Sequence, residues 1–149
     1  GQYDPMVPDA ECVRIVAEIL RSLPLGRFLV KVNHRQVLDG LFEVCGVPAD
    51  QFRTICSSVD KLDKSPWEEV RREMVEEKHL SEEAADRIGH YVKFSGGTEL
   101  VDTLLADPAL AANKNVVAGL EGMRTFLGFC RLYGLADDVR FDMSLARGL

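Results

Sequence analysis

The fold is decided by the stretch FLVKVNHRQVLDGLF, residues 28–42, in which a strand-like composition gives way to helical periodicity. Residues 28–32 are rich in β-branched and aromatic side chains, and this composition predicts a short strand. Asn33 and Gln36 then have the spacing of a capping box, with the asparagine at the cap of a helix. That helix is expected to end near Gly46-Val47-Pro48. The sequence therefore predicts a strand that runs straight into an amphipathic helix.

The regions on either side of this stretch follow the helical period until the last residues of the chain. Upstream, Asp9 is expected to cap a helix that runs to Leu23. Downstream, the sequence predicts helix starts at Ser65-Pro66 and at Ser81, and a long helix that ends at Gly134. The region between the two strands of the chain is therefore expected to be entirely helical.

The last residues change to an alternating period. Apolar and polar side chains alternate from Val139 to Leu145, which predicts a half-buried strand lying beside the strand at residues 28–32, with the intervening helices in a separate bundle. Continued by two residues, the alternation puts Arg147 on the apolar face, where a charge must be paired or line a cleft. Such an arginine suits phosphate or carboxylate groups, because its planar fork donates two hydrogen bonds. If the strand ends at Leu145, Arg147 is solvated instead.

The composition describes one ordinary globular domain and excludes several classes of protein. The chain has 149 residues and a formal net charge of −6, which argues against an autonomous, tight nucleic-acid binder. No apolar run reaches the roughly 20 residues that a membrane helix requires. A start at Gly1 without a signal peptide indicates an excised piece. The four cysteines and three histidines show no metal-ligand spacing, so the cysteines are expected to be buried and reduced.

Basic residues in the helical region are the candidates for contact with nucleic acid. Lys61, Lys64, Arg71 and Arg72 are close in sequence, and contact with an RNA backbone is one interpretation. However, ten acidic and seven basic residues occur within residues 60–93. A solvated helix face with ion pairs four residues apart is the plainer interpretation.

Four runs of the chain resemble the eukaryotic-type histidyl-tRNA synthetases. Residues 31–40, KVNHRQVLDG, and residues 52–64, FRTICSSVDKLDK, are closely similar to that family. Residues 2–6, QYDPM, look like the stretch just after its motif 2, and residues 145–149, LARGL, resemble the opening of its first histidine-specific motif. The similarity covers essentially the whole chain, in order.

The resemblance implies an α+β fold, mainly α. A helical insertion domain is expected at residues 48–134, flanked by a helix and two strands that belong to the class II catalytic antiparallel sheet. Residues 1–47 are expected to give the catalytic domain a helix, a strand and a helix, and residues 135–149 a returning strand. The resemblance also places the insertion near the acceptor stem of the tRNA.

The function that the resemblance implies is that of whole enzymes of the family. They activate histidine with ATP and Mg²⁺ and transfer it to tRNA-His, as homodimers in the cytoplasm, with a mitochondrial pool left open. Arg147 is then the catalytic residue that contacts the activated carboxyl and the α-phosphate, and Gly148 is a substrate-binding residue. Motifs 1, 2 and 3, the tyrosine pair and the anticodon-binding domain are missing. The chain alone is therefore expected to be inactive, with no cofactor and no metal site of its own.

Two other functions stay open on the residues alone. A non-catalytic fragment could bind a protein partner through exposed sheet edges, and a regulatory paralogue could have lost aminoacylation. The retention of Arg147-Gly148-Leu149 speaks against the paralogue. Histidine-dependent pyrophosphate exchange separates these functions from the synthetase.

Overall fold

The computed structural model describes residues 15–22, 27–135 and 137–146, with side chains from residue 30 onward. The strands are β1 (Ile15–Ser22), β2 (Arg27–His34), β3 (Ser95–Gly96) and β4 (Val139–Asp142). The helices are α1 (Arg35–Cys45), α2 (Phe52–Val59), α3 (Trp67–Arg72), α4 (Glu82–Val92), α5 (Thr98–Leu105), α6 (Pro108–Ala111) and α7 (Lys114–Leu132). Short 3₁₀ turns lie at Ala49–Gln51 and Asp60–Asp63, and a π turn, Glu73–Glu77, follows α3. The described chain is thus mainly helical with one small sheet, as predicted.

The sheet is mixed and has the strand order β1-β2-β4-β3. β1 and β2 pair antiparallel, as do β3 and β4, whereas β2 and β4 run parallel, with Val30 opposite Val139 and Val32 opposite Phe141. The prediction that these two strands lie side by side is confirmed. The expectation of an entirely helical region between them is wrong, because the two residues of β3 pair with β4 at the edge of the sheet.

β1 replaces much of the helix predicted between Asp9 and Leu23. Residues 15–22 form an antiparallel ladder with β2, from Ile15 opposite His34 to Ser22 opposite Arg27. The apolar spacing of a short segment suits either period, and pairing along a whole neighbouring strand overrides a local helical preference. The rest of the predicted helix, including its proposed cap, lies outside the described residues.

No loop separates β2 from α1, and the cap of α1 is His34 rather than Asn33. The imidazole Nδ1 of His34 accepts a hydrogen bond of 3.0 Å from the backbone N–H of Gln36. The predicted capping box does not form, because the Asn33 side chain bonds to His34 and Leu145 and the buried Oε1 of Gln36 has no hydrogen-bond partner among the described residues. α1 ends as predicted at Gly46, whose φ of 89° is a left-handed conformation that glycine adopts without strain.

The other predicted helix boundaries are confirmed at two places and wrong at one. The hydroxyl of Ser81 accepts a hydrogen bond of 3.1 Å from the N–H of Ala84 and so caps α4. Gly134 follows α7 with a φ of 74°, as expected for a residue that ends a helix. α3, in contrast, begins one residue later than predicted. Pro66 occupies its cap position, so Ser65 does not cap this helix.

The described helices and the sheet share one apolar core, so the expectation of a separate bundle is wrong. Val32 and Phe141 of the sheet are buried together with Leu38 of α1 and with Leu120 and Met123 of α7. α1 and α7 pack against each other and both contact β2. The helices cannot detach from the sheet as a unit without exposing this shared apolar surface to water.

The contact between α1 and α7 brings helix backbones together at two glycines. A Cβ atom on Gly119 would lie 2.6 Å from the backbone nitrogen of Val37. A Cβ atom on Gly40 would lie 2.6 Å from the backbone nitrogen of Val116. Both distances are far shorter than carbon and nitrogen atoms tolerate, so the helices approach this closely only because both positions are glycine.

Gly119→Ala is expected to lower the free energy of unfolding by about 2 kcal/mol, because the added methyl group overpacks a backbone contact. Gly128 is the matched control, since it lies on the same helix and a Cβ atom there meets nothing within 4 Å. Gly128→Ala is expected to stabilise the chain by about 0.8 kcal/mol, because alanine favours the helical backbone. Urea unfolding of the three proteins measures both effects. Two substitutions of the same sign and size would contradict the close crossing.

Candidate functional site

β4 ends in a sharp turn that its own last side chain forms. The carboxylate of Asp142 accepts hydrogen bonds from the backbone N–H and the hydroxyl of Ser144, at 2.8 and 2.6 Å. The N–H of Leu145 donates to the carbonyl of Asp142 at 3.2 Å. The strand predicted to reach Leu145 therefore ends at Asp142, because this aspartate turns the chain out of the sheet.

This turn removes the basis for placing Arg147 on the apolar face of a strand. Leu145 and Ala146 are both buried, so neighbouring residues no longer alternate between two faces. Arg147 and Gly148 lie outside the described residues. Their catalytic and substrate-binding roles therefore depend on the family resemblance and stay predictions.

Asn33 ties the turn after β4 to the end of β2. Its side chain is buried, and its Oδ1 accepts a hydrogen bond of 2.8 Å from the backbone N–H of His34. Its Nδ2 donates to the carbonyl of Leu145 at 3.1 Å and lies 3.5 Å from the carbonyl of Met143. The N–H of Met143 donates to the carbonyl of Phe94 at 3.0 Å. The main chain of the turn is thus held from two sides.

A cleft of about 580 Å³ opens beside the turn, bordered by Asp142, Ser144 and residues of α3 and α4. The carboxylate of Asp142 lies 3.6 Å from the ammonium of Lys31, so its charge is paired on the side of β2. Trp67 also lines this cleft and packs over Gly89, where a Cβ atom would lie 2.3 Å from the indole ring. Trp67 is therefore a packed residue at the start of α3.

Two of the four candidate RNA-contacting cations are paired with carboxylates. The ammonium of Lys61 donates a hydrogen bond to Glu73. Arg71 donates through Nε to Asp86 at 2.7 Å and through its terminal nitrogen to Glu82 at 3.3 Å. These carboxylates neutralise the two cations locally, which leaves little charge for a phosphate group.

Lys64 and Arg72 belong to neither of these ion-pair groups. Both side chains are exposed, Lys64 just before α3 and Arg72 at its last residue. Of the four candidates, these two have charges more available to a phosphate backbone in solution. The structure therefore divides the predicted basic cluster into a paired half and an exposed half.

Glu73 is the centre of the ion-pair network that contains Lys61. Hydrogen bonds from Lys61 and from the hydroxyl of Ser58, together with the charge of Lys78, lower the pKa of the Glu73 carboxyl to about 2. Lys78 lies 3.4 Å from the carboxylate and also donates to the backbone carbonyl of Thr54 at 2.8 Å. This network joins α2 to the π turn after α3, which is a structural role.

Burial shifts the pKa of two cysteines and of one histidine. Cys45, Cys56 and Cys130 are buried thiols, as expected, and burial raises the pKa of Cys45 and of Cys56 to about 12. Burial lowers the pKa of His34 to about 4, so it caps α1 as a neutral imidazole. Among the described residues there is no cluster of three ligating side chains for a metal ion, and no helix is long and apolar enough to cross a membrane.

Sequence reasoning missed the parts that Asn33 and Asp142 play. The order Asp142-Met143-Ser144 is typical of a turn in which an aspartate carboxylate accepts a hydrogen bond from the backbone N–H two residues later. This signal predicts the end of the strand at Asp142. Asn33 has its partner at Leu145, 112 positions away in the sequence. No local pattern indicates such a contact.

The pKa of Glu73 makes the stability of the chain depend on pH in a defined direction. Because the folded-state pKa of about 2 lies below the ordinary 4.5, the ionised carboxylate stabilises the fold above pH 4.5 and loses this contribution as the pH falls toward 2. Glu73→Gln is expected to lower the free energy of unfolding by roughly 1 kcal/mol at pH 7 and by much less at pH 3.

Urea unfolding of both proteins at the two pH values measures this change. Glu76, an exposed residue of the same π turn, provides the matched control, and Glu76→Gln is expected to have little effect at either pH. A Glu73→Gln effect that is the same at pH 7 and pH 3 would show that the ionised carboxylate is not the stabilising group.

Comparisons with known proteins extend over the whole chain. The family model described as histidyl-tRNA synthetase matches residues 3–149. The chain is 59% identical over 149 residues to the cytoplasmic histidine–tRNA ligase of Mesocricetus auratus, 56% to a histidine–tRNA ligase of Danio rerio and 54% to the mitochondrial one of Homo sapiens. Each match covers all of this chain and 29% of the relative.

A solved structure shares the fold. The crystal structure of histidyl-tRNA synthetase from Nostoc sp. PCC 7120 matches 85% of this chain and 30% of that protein, with a TM-score of 0.75 and 26% identity. The sequence matches include the strand and helix at residues 28–42, the helical region and the turn after β4. The chain belongs to the histidyl-tRNA synthetase family.

Proposed function

We propose that this chain is a segment of a histidine–tRNA ligase, which activates histidine with ATP and transfers it to tRNA-His. The observation that carries the proposal is the 59% identity to the Mesocricetus auratus enzyme over all 149 residues. The chain spans about 29% of the length of that relative, so the activity is proposed for a longer protein. In that protein the segment supplies one active-site arginine and a helical region near the tRNA acceptor stem.

Arg147 is proposed to stabilise the charge that develops during histidine activation. A carboxylate oxygen of histidine attacks the α-phosphorus of ATP, and pyrophosphate leaves with the electron pair of the broken P–O bond. A guanidinium that donates to the carboxylate and to an α-phosphate oxygen favours this step. Gly148 has no side chain, which lets the substrate approach the main chain closely.

The isolated chain is proposed to be inactive, because one arginine without a binding pocket cannot position two substrates. The resemblance implies Mg²⁺ together with ATP, but no cluster of ligating side chains in the described parts of the chain fits a metal ion. No step is therefore assigned to a metal held by this segment.

The longer protein is proposed to be a homodimer that works in the cytoplasm or in mitochondria, the two locations named for its relatives.

The helical region is proposed to face the tRNA through Lys64 and Arg72. Their exposure supports this choice over Lys61 and Arg71, whose charges are engaged by Glu73 and Asp86. Contacts to phosphate position a protein on RNA without reading its sequence. Two such contacts suit a region that guides the acceptor stem while other parts of the enzyme select the tRNA.

Removal of the arginine tests the catalytic part of the proposal. In a full-length synthetase that carries this segment, Arg147→Ala is expected to lower kcat of histidine-dependent pyrophosphate exchange by about 100- to 1,000-fold. Arg147→Lys is expected to be nearly as damaging, because an ammonium cannot reproduce the fork. KM for histidine and for ATP is expected to change less than kcat, since the contact strengthens in the transition state.

Arg131→Ala is the matched control for this experiment, because Arg131 is an exposed arginine near the end of α7. Its exchange activity is expected to stay normal, and the isolated 149-residue chain is expected to show none. Near-normal exchange by a folded Arg147→Ala enzyme would contradict the assigned role. A full-length protein without exchange activity would favour a regulatory paralogue or a partner-binding fragment.

Salt-dependent binding tests the RNA-facing part. Replacing Lys64 and Arg72 together by glutamine is expected to weaken tRNA binding by the full-length enzyme and to reduce the slope of log Kd against log salt by about one for each phosphate that is no longer neutralised. The matched control replaces Lys61 and Arg71 by glutamine and is expected to change the slope much less. Equal slopes for the two double variants would contradict the division of the basic cluster.

A further inference from the structure

We infer that Asn33 is a positioning residue for histidine activation, because it holds the main chain two residues before Arg147. The inference deepens the proposed function and rests on the catalytic role assigned there to Arg147. Asn33 itself contacts backbone groups of His34 and Leu145, and it acts through the arginine. Asn33, a residue of β2, is thus inferred to support a site whose sequence motif begins at Leu145, 112 residues later.

The two ends of the Asn33 amide are fixed by different partners. Its Oδ1 accepts from the N–H of His34 at 2.8 Å, and an NH₂ group at that place would set donor against donor. The amide orientation is thereby determined, and Nδ2 must face the turn after β4. There it donates to the carbonyl of Leu145 at 3.1 Å. Aspartate lacks this donor and a leucine lacks both groups, so asparagine is the residue whose chemistry fits.

The turn needs this support because it has left the sheet. The pairing of β2 with β4 extends to Val32 opposite Phe141, and Asp142 then turns the chain away. The Asn33 side chain continues the connection from β2 beyond the last ladder pair and reaches the carbonyl of Leu145. Because Asn33, Leu145 and Ala146 are all buried, water does not compete freely for these groups.

A fixed carbonyl at Leu145 limits where the next two residues can go. Arg147 follows two residues later and consecutive Cα atoms are about 3.8 Å apart, so we expect a shift of Leu145 to displace Arg147 as well. Misplacement of a catalytic group by about 1 Å lowers the rate roughly 100-fold. Loss of the Asn33 donor is therefore expected to reduce turnover more than the binding of histidine and ATP, because the proposed contact of Arg147 strengthens in the transition state.

The test is a double-mutant cycle in the full-length synthetase, with pyrophosphate exchange as the readout. Asn33→Ala is expected to lower kcat by about 10- to 100-fold and to change KM for histidine and ATP by less than about threefold. In an Arg147→Ala background the same substitution is expected to lower kcat by less than about threefold, because the group that it positions is gone. Asn33→Asp keeps an acceptor for His34 and lacks the donor, so it is expected to behave like Asn33→Ala.

Asn113→Ala is the control for a loss of stability without a loss of positioning. Asn113 caps α7 through Oδ1 and donates to Glu43 through Nδ2. Its replacement therefore also removes two side-chain hydrogen bonds, but neither of them is at the turn after β4. It is expected to lower Tm without lowering kcat at a temperature where the enzyme is folded. Circular dichroism under the assay conditions verifies that each variant is folded. If Asn33→Ala does not fold, Asn33→Asp replaces it in the double-mutant cycle.

The outcomes separate this inference from the proposed function. Arg147→Ala alone tests the catalytic arginine, and normal exchange by that variant overturns both. A large effect of Arg147→Ala with an unchanged kcat for the folded Asn33 variants leaves the arginine in place and overturns the positioning role. A loss of the same size from Asn33→Ala in both backgrounds also overturns it, because that result indicates general damage to the fold.

Discussion

At the crossing of α1 and α7, glycines let the two helix backbones touch, and the positions of the strands at both ends follow from that contact. β2 continues into α1 without a loop, so the direction of α1 fixes the direction in which β2 leaves. α7 is the last helix before β4, and Asn113 at its cap bonds to Glu43 of α1. Adjacent strands lie about 4.8 Å apart, and a wider helix contact would strain that pairing. Gly40 and Gly119 therefore serve the sheet as well as the helices.

The charges of the helical region show how a net acidic chain can still have cations that are exposed and outside the ion pairs of Lys61 and Arg71. Glu73 and Asp86 each engage a cation that is close to them in the fold, and the pairing orders the ends of neighbouring helices. Each exposed ion pair of this kind contributes little to the stability of the fold. Its main effect is to decide which cations keep a charge that is not neutralised by a neighbouring carboxylate.

Signals in the sequence located the features that depend on near neighbours. Ser81 and Gly134 mark a helix start and a helix end as predicted, because a cap and a stop are contacts within a few residues. Residues 15–22 have a helix-like spacing but form a strand, because their partner is a separate segment. The resemblance identified the family, which the comparisons show, and it is the basis of the predicted role of Arg147. The buried contact of Asn33 joins residues 112 positions apart, and no local rule describes such a contact.

The hydrogen bond from Asn33 to Leu145 joins the two ends of a long excursion of the chain. Apart from the two residues of β3, the chain leaves the sheet after β2 and returns in β4, the parallel neighbour of β2, so it departs and comes back at adjacent points. The entropy cost of closing a loop grows only slowly with its length, so an excursion of many helices adds little to the cost of holding its ends. The contacts that fix the ends of the excursion are therefore the important ones. The glycine contact aligns α1 with α7, and Asn33 holds the turn that follows β4. The residue that secures the return point consequently lies before the excursion, 112 positions from the carbonyl to which it donates.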